Sequence, residues 1–255
     1  WLKLIPMPKK AVSLLVPFKD LSTAIEAVPK IIIQSRVLPT SLEFMEREVI
    51  LDAEKYLGKK FPDSSSDAYL LITIDGNDSQ SLESQYDDIA QVCLDLGALD
   101  VFISDTEERQ DSIWATRSAF LEAIKVSTTE MDECDVVVPR SHISDFIQYT
   151  VQLKEKYDVR LKSFAHAGDG NVHVYVLKDD MDEEKWKPLL EDIMADMYEK
   201  AKELGGNVSG EHGIGFLKKQ NLAEYYGEKS PELTLMKQIK DIFDPKHILN
   251  PGKVV

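Results

Sequence analysis

Residues 159–177 constrain this chain most. Two alternating runs rich in β-branched residues, Val159 to Ala165 and Val172 to Leu177, flank Gly168-Asp-Gly-Asn171. Such runs read as strands, and the four residues between them tolerate the positive φ of a tight turn. The stretch therefore reads as an antiparallel hairpin. In its second strand Val172, Val174 and Val176 point one way, so His173 and Tyr175 point the other. His166 ends the first strand and faces the same mouth. Two of the five histidines thus stand side by side, and neutral imidazole is the commonest metal-binding side chain.

A second polar cluster runs from Gly205 to Gly215 and holds five glycines in eleven residues. Glycines at that density pack no core and cost backbone entropy, so they point to close approach or unusual dihedrals. The stretch carries Glu211 and His212 as neighbours. If Glu211 joins His166 and His173, two imidazoles and one carboxylate leave open positions on a divalent metal, suited to a bound substrate. His212 would then point elsewhere and stay free as a base. Taken singly each signal is weak: a strand histidine is more often structural, a glycine loop can be a helix C-cap, and Glu211-His212 can be a surface pair. The two clusters together carry the metal reading. His142 and His247 read as structural.

Along the chain, strands are expected at residues 11–16, 40–45, 68–74, 99–104 and 135–138 besides the hairpin. Helices are expected at 21–33, up to 57, and at 79–96, 106–124, 141–157, 181–204, 214–226 and 231–243. The helix over 106–124 places Trp114, Arg117 and Leu121 on one stripe. Repeated β-α-β units with antiparallel hairpins give an α+β fold, one antiparallel sheet flanked by helices and built of duplicated ferredoxin-like halves.

The hydrophobic content of 43% supports a real core, and no apolar run approaches bilayer length. A formal charge of −15 argues against a nucleic-acid surface. It does not forbid an anionic substrate, because a local arginine and a metal can dominate a pocket. Cys93 and Cys134 lie far apart, which fits reduced thiols and a cytoplasmic protein, free or peripheral at a membrane.

Three motifs, His166-Ala-Gly-Asp-Gly-Asn-Val-His173, Gly210-Glu-His-Gly-Ile-Gly215 and Lys240-Asp-Ile-Phe-Asp-Pro-Lys-His-Ile-Leu-Asn-Pro-Gly-Lys253, resemble the C-terminal, substrate-capping domain of FAD-linked oxidases. That group includes glycolate oxidase large subunits, D-lactate dehydrogenases and D-2-hydroxyglutarate dehydrogenases. The resemblance implies that His166, His173 and Glu211 bind a divalent metal (zinc, manganese or iron) and that His212 is the base. It implies that Arg117, in Trp114-Ala-Thr-Arg117, grips the substrate carboxylate, with Tyr175 at the substrate and Asn250 at the cofactor. Arg140 is the reserve candidate for the carboxylate.

The implied layout is the tail end of a FAD-binding domain at 1–10, the substrate and metal domain at 11–230, and a helix and tail packing toward the flavin domain at 231–255. Trp1-Leu-Lys-Leu-Ile-Pro has the look of a chain entered midway. No glycine-rich flavin pyrophosphate loop occurs, so tight FAD binding is expected of the companion domain.

The family's 2-hydroxyglutarate enzymes differ by an asparagine where Tyr175 stands, a threonine where Leu121 stands and a lysine near Glu133. The expected substrate is therefore a small monocarboxylic 2-hydroxy acid such as D-lactate or glycolate. Oxygen, a quinone, an electron-transferring flavoprotein and an iron–sulfur subunit all stay open as electron acceptor. Two rival readings use the same ligands: a metal-dependent hydrolase, and a non-catalytic metal-stabilised interaction domain.

Overall fold

The alternation seen in the sequence sorts side chains onto the two faces of one sheet. A computed structural model describes residues 1–255. The first half runs β1 (Lys10–Phe18), α1 (Leu21–Ser35), β2 (Ser41–Glu46), α2 (Arg47–Leu57), β3 (Ala68–Gly76), α3 (Ser79–Asp95) and β4 (Phe102–Ser104). A linker pair, α4 (Glu107–Ser118) and α5 (Phe120–Val126), leads to the second half. That half comprises β5 (Met131–Val137), α6 (Ile143–Tyr157), β6 (Arg160–His166), β7 (Asn171–Leu177) and α7 (Glu183–Glu203). The chain closes with α8 (Lys219–Tyr226) and α9 (Pro231–Phe243).

The seven strands follow the order β4-β1-β3-β2-β6-β7-β5, and every pairing is antiparallel. β4-β1-β3-β2 is the ferredoxin-like order. The second half repeats it as β5-β7-β6, and its fourth strand shrinks to one bridge between Val137 and Asn207. The halves join where β2 meets β6, Phe44 opposite Ala165 and Met45 opposite Phe164. The duplicated architecture expected from the sequence is therefore present, with one strand missing.

One face carries Val12, Leu14, Val16, Phe44, Leu70, Ile72, Val172, Val174 and Val176, buried under α1, α3, α6 and α7 in a core of 36 residues. The other face carries Leu15, Met45, Tyr69, Leu71, Phe164, Tyr175 and Leu177 under α2, α4 and α5, in a core of 15 residues. Beyond Phe164 and Tyr175 this second face has no helix over it. His166, His173, Glu133 and Asp135 stand on that uncovered stretch.

Four expected boundaries move. The strand at 99–104 forms only from Phe102, because the Asp100 side chain caps the Val101 amide at 2.7 Å and holds the backbone in a local turn. The helix over 106–124 breaks at Ala119 into α4 and α5, which drops Phe120 and Ile124 into the smaller core. β5 starts at Met131, not Asp135. Residues 215–218 are turns, because Gly213 and Gly215 take φ of +77° and +54°, and helix begins at Lys219. Residues 1–8 form no strand. Cys93 and Cys134 are buried and unpaired. No helix is long and apolar enough to cross a membrane.

Candidate active site and metal centre

The β6–β7 register sets the site. His166 lies opposite Asn171 and Phe164 opposite His173, so the two histidines are diagonal neighbours on one face. Their rings are 5.4 Å apart and nearly perpendicular. Each Nδ1 meets a carboxylate from a flanking strand: Glu43 of β2 lies 2.9–3.0 Å from His166, and Glu133 of β5 lies 2.8 Å from His173.

A ring that donates its Nδ1 proton to a carboxylate presents a bare Nε2, the arrangement metal-ligating histidines use. Both Nε2 atoms converge on Glu211 Oε1, at 3.3 Å for His166 and 3.2 Å for His173. These three ligand atoms lie within 4.8 Å of one another. Two ring lone pairs and a carboxylate oxygen facing each other repel unless a proton or a cation sits among them. The donor set therefore fits a divalent cation, two nitrogens and one oxygen with positions to spare. Glu43 also raises the pKa of His166, through the hydrogen bond and its charge, so acid competes with a cation at this ring.

Glu211 reaches the sheet because Asp135 holds its loop. The Asp135 carboxylate is fully buried and accepts from the Ser209 hydroxyl and the backbone amides of Gly210, Glu211 and His212 at 2.9–3.3 Å. Lys218 adds an ammonium at 3.3 Å. Burial alone would raise the Asp135 pKa, but the lysine and the amides outweigh it and lower it.

His212 does not point away, as the sequence suggested. Its ring lies 5.2 Å from that of His173, with Nδ1 3.4 Å from Glu133 Oε2 and Nε2 3.9 Å from Glu211 Oε1. Tyr175 donates to the same Glu133 at 2.8 Å. Glu133, His173 and His212 are close enough to form a second possible ligand group, but His173 Nδ1 is spent there on Glu133.

Arg117 is buried under Phe164, 4.4 Å from guanidinium carbon to ring centroid. Its Nε and Nη2 both bind Glu43, at 3.2 and 2.7 Å. Burial opposes ionisation of Glu43, yet the bonds to His166 and Arg117 lower its pKa. Arg117 thus reaches the cluster through Glu43. Arg140, the reserve, is exposed and donates to the hairpin carbonyl of Gly168 at 3.4 Å. Asn250 lies in the tail beside α9, where its carbonyl accepts from Lys240 at 3.3 Å, and no hydrogen bond joins it to the cluster. Two hollows flank the cluster. One of about 370 Å³ is lined by Ser41, Glu43, His166, Asn171 and Glu211, and one of about 940 Å³ lies between Glu133, His212 and α7.

The family model for the C-terminal domain of FAD linked oxidases matches residues 7–254. This chain belongs to that family. A D-lactate dehydrogenase of Anaerostipes hadrus is 45% identical over 99% of this chain and 54% of its own length. The glycolate oxidase subunit GlcD of Bacillus subtilis is 34% identical over 99% of the chain and 52% of its length. The chain spans about half of each. A p-cresol methylhydroxylase structure with substrate bound matches with a TM-score of 0.71 at 16% identity, covering 98% of this chain and 53% of that one. At that identity the likeness speaks for the fold alone.

Within this FAD-linked oxidase domain, sequence reasoning missed Glu43, Glu133 and Asp135 as site residues. Each is a carboxylate at the polar phase of a strand, flanked by apolar Leu42 and Phe44 or by Cys134 and Val136. That is the pattern of an ordinary solvent-facing strand residue, so the sequence gives no signal for them.

Proposed function

We propose that this chain is the substrate- and metal-binding half of a flavin-dependent D-2-hydroxy acid dehydrogenase of the D-lactate or glycolate type. The convergence of His166, His173 and Glu211 carries the reading, supported by relatives with D-lactate dehydrogenase and glycolate oxidase names. His166, His173 and Glu211 would hold the cation, which supplies Lewis acidity to the 2-hydroxyl. Flavin, bound mainly by the companion half, supplies the hydride acceptor.

Arg117 binds the substrate carboxylate with the edge of its guanidinium that Glu43 leaves unused, which fixes orientation. His212 takes the hydroxyl proton on Nε2, while Nδ1 faces Glu133. Tyr175 and Glu133 close the pocket with a hydroxyl and a negative charge, which suits a substrate with one carboxylate. Residues 1–10 belong to the flavin half, 11–230 form the substrate and metal domain, and 231–255 pack toward the flavin.

In the full-length enzyme, His212→Ala lowers D-lactate-dependent dye reduction about a hundred- to ten-thousand-fold with little change in KM. Near-normal turnover would remove His212 from the base role. His173→Ala loses bound metal by elemental analysis, and a full metal complement would overturn the ligand assignment.

A further inference from the structure

The geometry assigns Glu133 a positioning role: one carboxylate sets the orientation of His173, His212 and Tyr175, and so fixes which nitrogen of each ring faces the substrate. The inference deepens the reading above and rests on it for the identity of the reaction. Its structural part stands on contacts alone. Glu133 lies on β5 directly opposite Tyr175, with His173 one diagonal step away opposite Asp135. Its Oε1 accepts two hydrogen bonds of 2.8 Å, from His173 Nδ1 and from the Tyr175 hydroxyl. Its Oε2 faces His212 Nδ1 at 3.4 Å.

A carboxylate can only accept, so the His173 nitrogen hydrogen-bonded to Glu133 carries the proton, and the negative Oε2 that lies 3.4 Å from His212 Nδ1 draws the proton to that nitrogen too. The neutral rings of His173 and His212 are thereby set to the Nδ1–H form, with a lone pair on Nε2. In His173 that lone pair points at Glu211; in His212 it is the lone pair a base needs. A glutamine at 133 keeps the size of the side chain but turns one arm into an N–H donor, which cannot face an Nδ1–H. Glu43 holds His166 in the same way from the other flank, so the cluster is clamped from both sides. Of these two clamping carboxylates, Glu133 is the one that spans a proposed ligand and the proposed base.

The test uses histidine-labelled chain loaded with zinc, in long-range proton–nitrogen NMR. The expected result is Nδ1 protonated and Nε2 without a proton in both His173 and His212 of the unaltered chain. Protonation on Nε2 in either ring overturns the proposal without any variant. In Glu133→Gln, His212 loses its single form and manganese or zinc affinity by titration calorimetry falls roughly 10- to 100-fold. Unchanged ring signals together with unchanged affinity overturn it as well. In the full-length enzyme the same variant lowers kcat with a smaller change in KM, and an equal kcat would count against the His212 arm. If D-2-hydroxy acids are not turned over at all while the ring forms are as stated, the reaction assignment falls and the positioning role stands.

Discussion

Gly210 is required for space rather than for backbone freedom. A Cβ there would lie 2.8 Å from Asp135 Oδ1 and closer still to the Asn171 amide. Gly210→Ala must therefore displace the buried Asn171 amide or lift the loop from the sheet, at a cost of about 1–3 kcal/mol. A thermal melt reads that loss, and a parallel fall in cation affinity separates this site from an ordinary loop glycine. Glu46 gives a second test at this scale. It is buried beside Lys154, 3.5 Å away, and the Ser163 hydroxyl donates to it. Burial raises its pKa above 4.5. The folded state then keeps a proton that the unfolded chain has released, so Glu46 makes stability fall as pH rises through the window above 4.5. Glu46→Gln lacks that slope. Its melting temperature relative to the native chain should rise between about pH 4 and about pH 7; a constant difference would put Glu46 out of the titration.

Among the elements, the hairpin was the most legible. Val172, Val174 and Val176 stand out as one buried face, and the glycines between the strands permit only a turn, so His166 and His173 could be paired from sequence. The sequence reads β5 four residues short because Asp132 takes the apolar phase shared by Cys134 and Val136, and Glu130, Asp132 and Glu133 give its first half the look of a loop. Those carboxylates are paid back by partners from β7 and the loop, and nothing in a single sequence gives cross-strand register. Glu43 stayed hidden for the same reason, as its partners His166 and Arg117 lie 123 and 74 residues away. The loop from Gly205 to Gly215 was recognisable as built for close approach, but its anchor was not. Asp135→Asn removes the charge that Lys218 and three backbone amides share. Breaking a buried pair of this kind costs about 3 kcal/mol or more. Limited proteolysis should then cut near Glu211, and protection equal to the native chain would rule out Asp135 as the anchor.

At the scale of the whole molecule, α9 has no buried residue. Leu235, Ile239, Ile242 and Phe243 are exposed along it, and Ile248 and Leu249 follow in the tail. Apolar surface of this extent marks a contact, and the curated relatives are about twice as long as this chain. On the proposed function, hydrogen exchange over residues 231–249 should be slow in the full-length enzyme and fast in this chain alone; equal rates would leave α9 without a partner in the flavin half. The Val137–Asn207 bridge carries a different consequence. Where the first half spends residues on a complete outer strand, the second half keeps one rung and releases the chain just beyond it. On the proposed function, Glu211 and His212 are thus lodged where the internal symmetry fails, on a segment tied to the scaffold by few ladder bonds. Such a segment can shift while the strands beneath keep their pairing.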